Sequence, residues 1–462
     1  GGFCTAEVVS DQGLLLTNHH CAYDAIQSHS STEDDYLEDG FWAMKKEDEL
    51  PNEDLYVRFL VRIEDVTDRV QQELAGVEDP MQRMVKMRSP MGVIATIENE
   101  ASEDGKYEAE VVPMYSGSEF FLYVYEKYED VRLVGAPPES IGKFGGDTDN
   151  WMWPRHTGDF SLFRVYTAPD GSPAKYSKDN VPMKPKHHFP ISLKGVEKDD
   201  FSMIMGFPSR TQRYLTSYDI MTAYKYESPL RIDIMGAYLD NLDRFMEADP
   251  AVRIQYASKY ARISNYHKYL IGQNKGLTRL NTIGQKEELQ QRFMQWASKD
   301  TTRMARYGSI FEESKNLNEE YRTIYKPFSF FAFSGRLIEI LDMAERFEAV
   351  RSLLEEKEKV EDKDYETDEA EEEAMAKWQE DWDAKQEEIM EHAETYFKDY
   401  HKPIDVANMA TILELWADEV PAEQLPTVFE EEIEGEYQEY AEDVFDDSFL
   451  ASKIGLKDFF DK

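Results

Sequence analysis

The hydrophobic pattern changes character about midway along the chain. In the first part, short runs of β-branched and aromatic residues alternate with turn residues, a pattern typical of strands in a β-barrel or sandwich. The runs cover residues 55–63, 107–112, 120–125, 131–134, 160–166 and 201–205. One helical interruption is predicted from Thr67 to about Glu100, because Val70, Leu74 and Val77 recur at helical spacing.

The second part of the chain, after residue 217, has few turn residues and long amphipathic patterns. Apolar residues recur at helical spacing through 336–353 and 371–400, on a polar background. We therefore expect an α-helical region. The acidic run Glu361–Glu373 is interpreted as a solvated helix face or loop.

A β-hairpin is predicted at the start of the chain. The strand Cys4–Val9 is followed by a turn at Asp11–Gly13 and a returning strand Leu14–Thr17, and Cys21 lies just beyond. Such a hairpin can bring the two sulfur atoms into bridging range, and a disulfide there would be worth about 3 kcal/mol. The alternative is two unrelated buried thiols. A disulfide implies an oxidising compartment, so we expect a periplasmic, secreted or cell-surface protein.

The charge and composition of the chain argue against some classes of binding partner. The 462 residues carry a formal net charge of −41, and residues 351–450 hold 35 acidic against 8 basic residues. Such a charge disfavours nucleic acid and anionic membranes as partners. No apolar run approaches the roughly 20 residues needed to span a bilayer. Because the chain opens on Gly1-Gly2-Phe3 without a signal pattern, we expect a processed end or a fragment.

His20 is the strongest candidate for chemistry. It stands directly before Cys21 and after the apolar run Leu14–Thr17, which resembles how chymotrypsin-like serine peptidases present their general base. Such a base needs a desolvated, hydrogen-bonded carboxylate that fixes its tautomer. Asp159 fits, because it stands at the start of an apolar strand. Asp147 and Asp149 are rivals in a glycine-rich turn, and we favour Asp159.

His19 has a weaker claim than His20, because neighbouring side chains on a strand or helix point apart. The same geometry argues against a metal site at His19-His20-Cys21, and the sequence contains no further cluster to complete one. Neither a metal nor an organic cofactor is therefore expected.

Several segments together resemble the bacterial dipeptidyl-peptidase 7 and 11 family, serine exopeptidases of the chymotrypsin clan. The run Asn150-Trp151-Met152-Trp153-Pro154-Arg155-His156 is the most specific of them. The other matching segments are residues 2–7, 13–21, 25–30, 39–43 and the remainder of 142–164. The region after residue 217 also resembles the helical domain that is inserted in this family.

The resemblance implies roles for individual residues. His20 is expected to be the general base and Asp159 its orienting acid. Asn150 and Trp151 match the family residues that bind the free α-amino group of a peptide. An amide oxygen accepts from an ammonium group, and an indole face attracts it by a cation–π contact. The expected partners are peptides with a free N-terminus and a second copy of the chain in a homodimer.

The resemblance also implies a fold. We expect a chymotrypsin-like double β-barrel, with the second barrel incomplete, plus a large inserted α-helical domain. Residues 1–190 are expected to form the first barrel, 191–216 to begin the second, and 217–462 to form an incomplete helical cap domain that limits access to peptide termini.

The sequence departs from the family at the nucleophile. No Gly-x-Ser-Gly loop occurs, since Ser116-Gly117 and Ser334-Gly335 follow Tyr115 and Phe333 with no glycine two positions before the serine. The acidic residue that the family uses to anchor the amine is missing too. We therefore expect a dipeptidyl aminopeptidase whose serine lies beyond Lys462, so that this polypeptide alone is inactive.

Two alternative functions stay open: a trypsin-like endopeptidase and a non-catalytic, peptide-binding pseudoprotease. An acidic and a hydrophobic preference in the first specificity pocket both remain compatible with the sequence.

Overall fold

A computed structural model describes residues 4–53, 55–206, 211–361, 363, 365 and 367–461. The chain divides into two compact units. The first unit comprises Gly1–Gly146 and His156–Ser209, and the second comprises Asp147–Arg155 and Arg210–Lys462. The short segment Asp147–Arg155 therefore belongs to the second unit although the chain on both sides of it belongs to the first.

The strands of the first unit form two antiparallel sheets. In chain order they are β1 (Glu7–Val8), β2 (Leu14–Thr17), β3 (Phe41–Trp42), β4 (Leu50–Asn52), β5 (Val57–Asp65), β6 (Glu108–Met114), β7 (Glu119–Tyr128), β8 (Asp130–Ala136), β9 (Ser161–Thr167) and β10 (Val181–Pro182). One sheet has the order β1-β2-β9-β8-β3, with β4 also paired to β8 and β10 to β9, and the other has the order β5-β7-β6.

The predicted hairpin at the start of the chain is present, with Val8 paired to Leu15 across β1 and β2. Gly13 turns the chain at a φ of +66°, and a Cβ there would lie 2.9 Å from the carbonyl oxygen of Val165. The turn therefore requires glycine for both its backbone conformation and its close approach to β9.

Among the described residues, seven short α-helices belong wholly or partly to the first unit. They are α1 (His19–Ser28), α2 (Tyr36–Asp39), α3 (Thr67–Glu73), α4 (Pro80–Arg88), α5 (Val93–Ala101), α6 (Glu139–Gly142) and α7 (Gly146–Asp149), which crosses into the second unit. The helix predicted from Thr67 to Glu100 is thus three helices. Pro80 begins α4, because it has no N–H to donate within a continuing helix, and Gly92 caps α5.

The predicted closed barrel does not appear in the part of the chain that the structure describes, where the two sheets stay separate. The strand predicted at Phe201–Met205 is wrong. This segment is irregular, and Phe201 and Ile204 are almost fully exposed. A strand needs a partner for its backbone groups, and none pairs with it among the described residues. Of the predicted start of a second barrel, residues 207–210 lie outside the described residues, and the described remainder contains no strand.

The second unit is helical from Ser217 onward. Its helices are α8 (Ser217–Thr222), α9 (Ser228–Ala248), α10 (Pro250–Arg279), α11 (Thr282–Ala297), α12 (Thr301–Tyr307), α13 (Ile310–Leu337), α14 (Glu339–Glu361), α15 (Asp368–Lys398), α16 (Lys402–Glu419), α17 (Tyr437–Asp447) and α18 (Lys453–Phe460). A π-helical turn at Ala223–Glu227 joins α8 to α9. The predicted helical character of this region is therefore present, while the predicted domain boundaries at 190 and 216 stay a prediction.

The core of the helical unit lies between α9, α10, α13 and α16. Its fully buried members include Ile234, Tyr256, Phe330 and Ile412. Phe330 stacks on Trp416, with 5.7 Å between ring centroids. Among the described residues, no helix is both long enough and apolar enough to cross a lipid bilayer.

Candidate functional site

The register between β2 and β9 brings two distant parts of the first unit together. Thr17, the last residue of β2, is paired with Ser161, the first residue of β9. Because the strands are antiparallel, the residues after Thr17 lie beside those before Ser161. His20, at the start of α1, and Asp159, just before β9, therefore come into contact.

His20 and Asp159 form a hydrogen-bonded pair. His20 Nδ1 lies 2.7 Å from Asp159 Oδ2, and the His20 backbone N–H donates to Asp159 Oδ1 at 3.0 Å. The His20 side chain is 70% exposed, whereas that of Asp159 is 27% exposed. A neutral imidazole that donates from Nδ1 carries its lone pair on Nε2, as a general base requires.

The surroundings of Asp159 keep it ionised. Burial disfavours the carboxylate, but hydrogen bonds from the His20 side chain and backbone outweigh it, so the pKa of Asp159 lies below its usual value. Asn18 Nδ2 adds hydrogen bonds to the backbone oxygen of Asp159 at 3.1 Å and to Oδ2 at 3.3 Å. Ser161 in turn donates to the Asn18 carbonyl at 2.8 Å. Asp159 is thus held by hydrogen bonds from Asn18 and His20, on the segment that follows β2.

The predicted disulfide between Cys4 and Cys21 is confirmed, with its Cα atoms 6.1 Å apart. Cys21 is the residue after His20, so the bridge ties the start of α1 to the segment that leads into β1. His20 and the two sulfur atoms lie within 4.8 Å of one another. The sulfur atoms are bonded to each other and offer no thiolate, so this group lacks the donors of a metal site.

Asn150 and Trp151 lie in the helical unit and are held by helix α10. Asn150 Nδ2 donates to Asn265 Oδ1 at 2.9 Å. Trp151 Nε1 lies 3.0 Å from both the backbone oxygen and Oδ1 of Asn265. Lys268, one turn further along α10, donates to the backbone oxygens of Asp147 and Thr148.

Trp151 has an unusual backbone conformation. Its φ of +61° lies in the left-handed region, which a bulky residue adopts at a cost of order 1–3 kcal/mol. The Asn150 side chain accepts from the Trp151 N–H at 3.1 Å, and the indole ring packs on Tyr269 with 5.4 Å between centroids. The ring nevertheless stays accessible, since Trp151 is 56% exposed. These contacts stabilise a conformation that presents two amides and an indole to solvent.

Residues 1–462 match the peptidase S46 family over their whole length. The chain belongs to the peptidase S46 family. It is 39% identical, over 99% of its length, to an Asp/Glu-specific dipeptidyl-peptidase of Flavobacterium psychrophilum, of which it covers 60%. It is also 39% identical, over 97% of its length, to dipeptidyl-peptidase 7 of Porphyromonas gingivalis, of which it covers 59%. The chain therefore spans about 60% of the length of these S46 relatives.

A solved S46 structure has the same fold. The crystal structure of Porphyromonas endodontalis DPP11 in complex with the dipeptide Arg-Glu superimposes with a TM-score of 0.80 at 33% sequence identity. The match covers 99% of this chain and 63% of that chain. The resemblance inferred from the sequence motifs is thereby confirmed at the level of the family.

The structure brings some of the predicted site residues into contact, and it shows one further residue in contact with them that was not predicted. Asp159 is hydrogen-bonded to His20, whereas the alternative candidates Asp147 and Asp149 lie in the helical unit. The structure also adds Asn265, which sequence reasoning missed. Asn265 is 114 residues away from Trp151, on a helix surface where asparagine carries no signal of its own. The roles of these residues in catalysis and substrate binding stay predictions.

Proposed function

We propose that this chain provides the general base, the orienting acid and the amine-binding residues of a serine dipeptidyl aminopeptidase, which releases dipeptides from the free N-terminus of peptides. The hydrogen bond between His20 and Asp159 is the observation that carries the proposal. Membership of the S46 family, whose relatives are named as dipeptidyl-peptidases, supports the reaction class.

In the proposed reaction, His20 Nε2 takes the proton of a serine hydroxyl while the serine oxygen bonds to the carbonyl carbon of the second residue. The peptide C–N bond then breaks, and the imidazolium gives its proton to the leaving amine. Water hydrolyses the resulting ester by the same route. Asp159 stays ionised and stabilises the imidazolium. We propose that the serine is supplied by sequence outside residues 1–462 and that these residues alone are inactive.

The amine-binding proposal assigns the peptide ammonium group to Asn150, Trp151 and Asn265. The Asn150 side-chain oxygen also accepts from Arg155 at 3.3 Å, the longest of its hydrogen bonds. An incoming ammonium group can replace Arg155 at this oxygen and lie against the indole face by a cation–π contact. Binding of the terminal amine would explain why cleavage occurs two residues from the end.

The test uses the full-length enzyme and chromogenic dipeptidyl substrates with an acidic or a hydrophobic second residue. His20→Ala should abolish release, and Asn150→Ala or Asn265→Ala should raise KM for substrates with a free amine. Asn99→Ala, on the exposed surface of α5, serves as the control. Undiminished turnover of His20→Ala removes His20 from the mechanism. Equal rates on N-blocked substrates, with internal cleavage of casein, indicate an endopeptidase instead. Absence of a serine nucleophile from the full-length protein, together with peptide binding, indicates a pseudoprotease.

We also propose a periplasmic, secreted or cell-surface location, which the Cys4–Cys21 disulfide supports. The double β-barrel and the homodimer, which the family resemblance implies, likewise remain proposals for the complete protein. Fractionation of cells and light scattering of the purified enzyme test the location and the dimer.

A further inference from the structure

His19 is a buried titratable group that the proposed mechanism does not use. It is the first residue of α1 and is 1% exposed, in contrast to its neighbour His20. Burial lowers the pKa of His19, so the ring is neutral at physiological pH. Among the described residues, His19 Nε2 has no hydrogen-bond partner. The Pro137 backbone favours a proton on the ring, but burial outweighs this effect.

The ring of His19 is pressed against Gly142, the last residue of α6. A Cβ on Gly142 would lie 2.5 Å from Cγ and 2.7 Å from Nε2 of His19. Any side chain at position 142 would therefore displace the ring. The ring also meets Tyr23 in an edge-to-face contact, with 5.8 Å between centroids. His19 thus fills the space between α1 and the turn formed by residues 137–142.

The same turn holds the residue before Asp159. The Ile141 carbonyl accepts from the Gly158 N–H at 2.9 Å. A Cβ on Gly158 would lie 2.8 Å from Ile141 Cγ2, so this approach is also as close as glycine allows. His19 therefore packs against residue 142 of this turn, and residue 141 of the same turn is hydrogen-bonded to Gly158, the residue before Asp159.

The charges around His19 make its neutrality important. Asp159 attracts a proton to it, whereas Lys143 and His20 oppose a second positive charge there. Glu139 accepts from the Tyr23 hydroxyl, and the Lys143 ammonium lies 5.1 Å from the Tyr23 ring centroid. Because the His19 ring is neutral, it does not compete as a cation with His20 for the Asp159 carboxylate.

We propose that His19 is a positioning residue, whose neutral ring, wedged on Gly142, fixes the 137–142 turn and so keeps the Asp159 carboxylate on His20 Nδ1. This inference rests on the proposed function of His20 and Asp159. It predicts that loss of the contact between His19 and Gly142 lowers the rate of the chemical step and leaves substrate binding unchanged. A misplacement of about 1 Å in such a group costs on the order of a hundredfold in rate.

The kinetic experiment compares His19→Ala and Gly142→Ala with His29→Ala in the full-length enzyme. His29 lies at the other end of the same helix and contacts Asn52. Rates are normalised to active sites titrated with an irreversible serine-directed reagent, so that misfolded protein is not counted. The two variants that disrupt the contact between His19 and Gly142 should lower kcat by roughly 10–100-fold with KM unchanged. His29→Ala should leave both unchanged.

A second measurement is independent of activity. The proton on Nδ1 of a histidine bonded to aspartate gives a strongly deshielded NMR signal, which the wild-type protein and His29→Ala should show. The signal should be lost or weakened in both His19→Ala and Gly142→Ala. An unchanged signal and an unchanged kcat in His19→Ala overturn the inference. An inactive wild-type enzyme with the expected NMR changes overturns the proposed function and leaves the positioning by His19 standing.

Discussion

Replacing Asp405 with asparagine should change the stability of the helical unit in a pH-dependent way. Asp405 is fully buried near the start of α16 and accepts from the backbone N–H groups of Glu339 and Ile340, at 2.6 and 2.8 Å. These groups begin α14, so Asp405 caps that helix from another part of the chain. Glu339 itself accepts from the Tyr256 hydroxyl at 2.8 Å and from Lys259.

Two effects compete at Asp405. Burial and the nearby Glu339 carboxylate favour the neutral acid, whereas the two backbone hydrogen bonds and Lys259 favour the ion. Burial wins, and the pKa of Asp405 is raised to about 7. The difference from the ordinary value of about 3.9 corresponds to roughly 4 kcal/mol, at 1.36 kcal/mol per pKa unit.

The sign of the pH dependence follows from this raised pKa. The folded protein keeps a proton that the unfolded chain releases above about pH 4, so this contribution to stability is fully present below that pH. It is lost as the pH rises through about 7, at roughly 1.4 kcal/mol per pH unit. Asparagine has the shape of the neutral acid and does not ionise. The stability of Asp405→Asn relative to wild type should therefore increase by roughly 3 kcal/mol between pH 5 and pH 8.

Urea unfolding followed by circular dichroism at several pH values measures this difference. Asp249→Asn is the matched control, because Asp249 caps α10 at an exposed position by accepting from the Ala251 N–H at 2.8 Å. Its effect should stay constant over the same range. If Asp405→Asn instead becomes steadily less stable than wild type as the pH rises, the ionised form is the preferred one and the reasoning is wrong.

Two further predictions concern the first unit. Removing the disulfide by Cys4→Ser with Cys21→Ser should cost about 3 kcal/mol, seen as a lower Tm that no longer responds to reductant; an unchanged Tm would contradict it. Arg164 donates to the buried Glu49 at 2.9 Å, so Arg164→Met should cost about 3–5 kcal/mol in urea unfolding by leaving the Glu49 carboxylate without its ion-pair partner. Adding Glu49→Leu should recover most of this loss, and additive losses in the double variant would argue against a coupled pair.

Local patterns in the sequence indicated most of the secondary structure. The hairpin that ends at Thr17 and the helical region from Ser217 are both present. The helix predicted from Thr67 is interrupted at residues 74–79, before Pro80, and at residues 89–92, where Gly92 is the last; Pro80 and Gly92 were visible signals for a break. The strand predicted at 201–205 fails for a different reason. Strand propensity depends on a neighbouring strand, which a local pattern does not supply.

The sequence predicted only those residues of the candidate site whose neighbours in the chain indicated a chemical role. His20 stood beside a cysteine and Asp159 at the start of an apolar strand, and the β2–β9 register brings them together across 139 residues. Asn265 had no comparable signal, because its importance comes from a contact with Trp151 that only the fold creates. The burial of His19 likewise depends on the absence of a side chain at Gly142.

The membership of residues 147–155 in the helical unit has a consequence for synthesis of the protein. The ribosome makes Trp151 well before it makes Asn265, which holds the indole. At about 5–20 residues per second, the delay is on the order of 5–20 s. During that time Asn265 cannot yet bond to the indole of Trp151, whose backbone is left-handed. The two strands that place His20 beside Asp159 have been synthesised before Asn265 is made, so His20 and Asp159 can pair on the nascent chain before Trp151 bonds to Asn265.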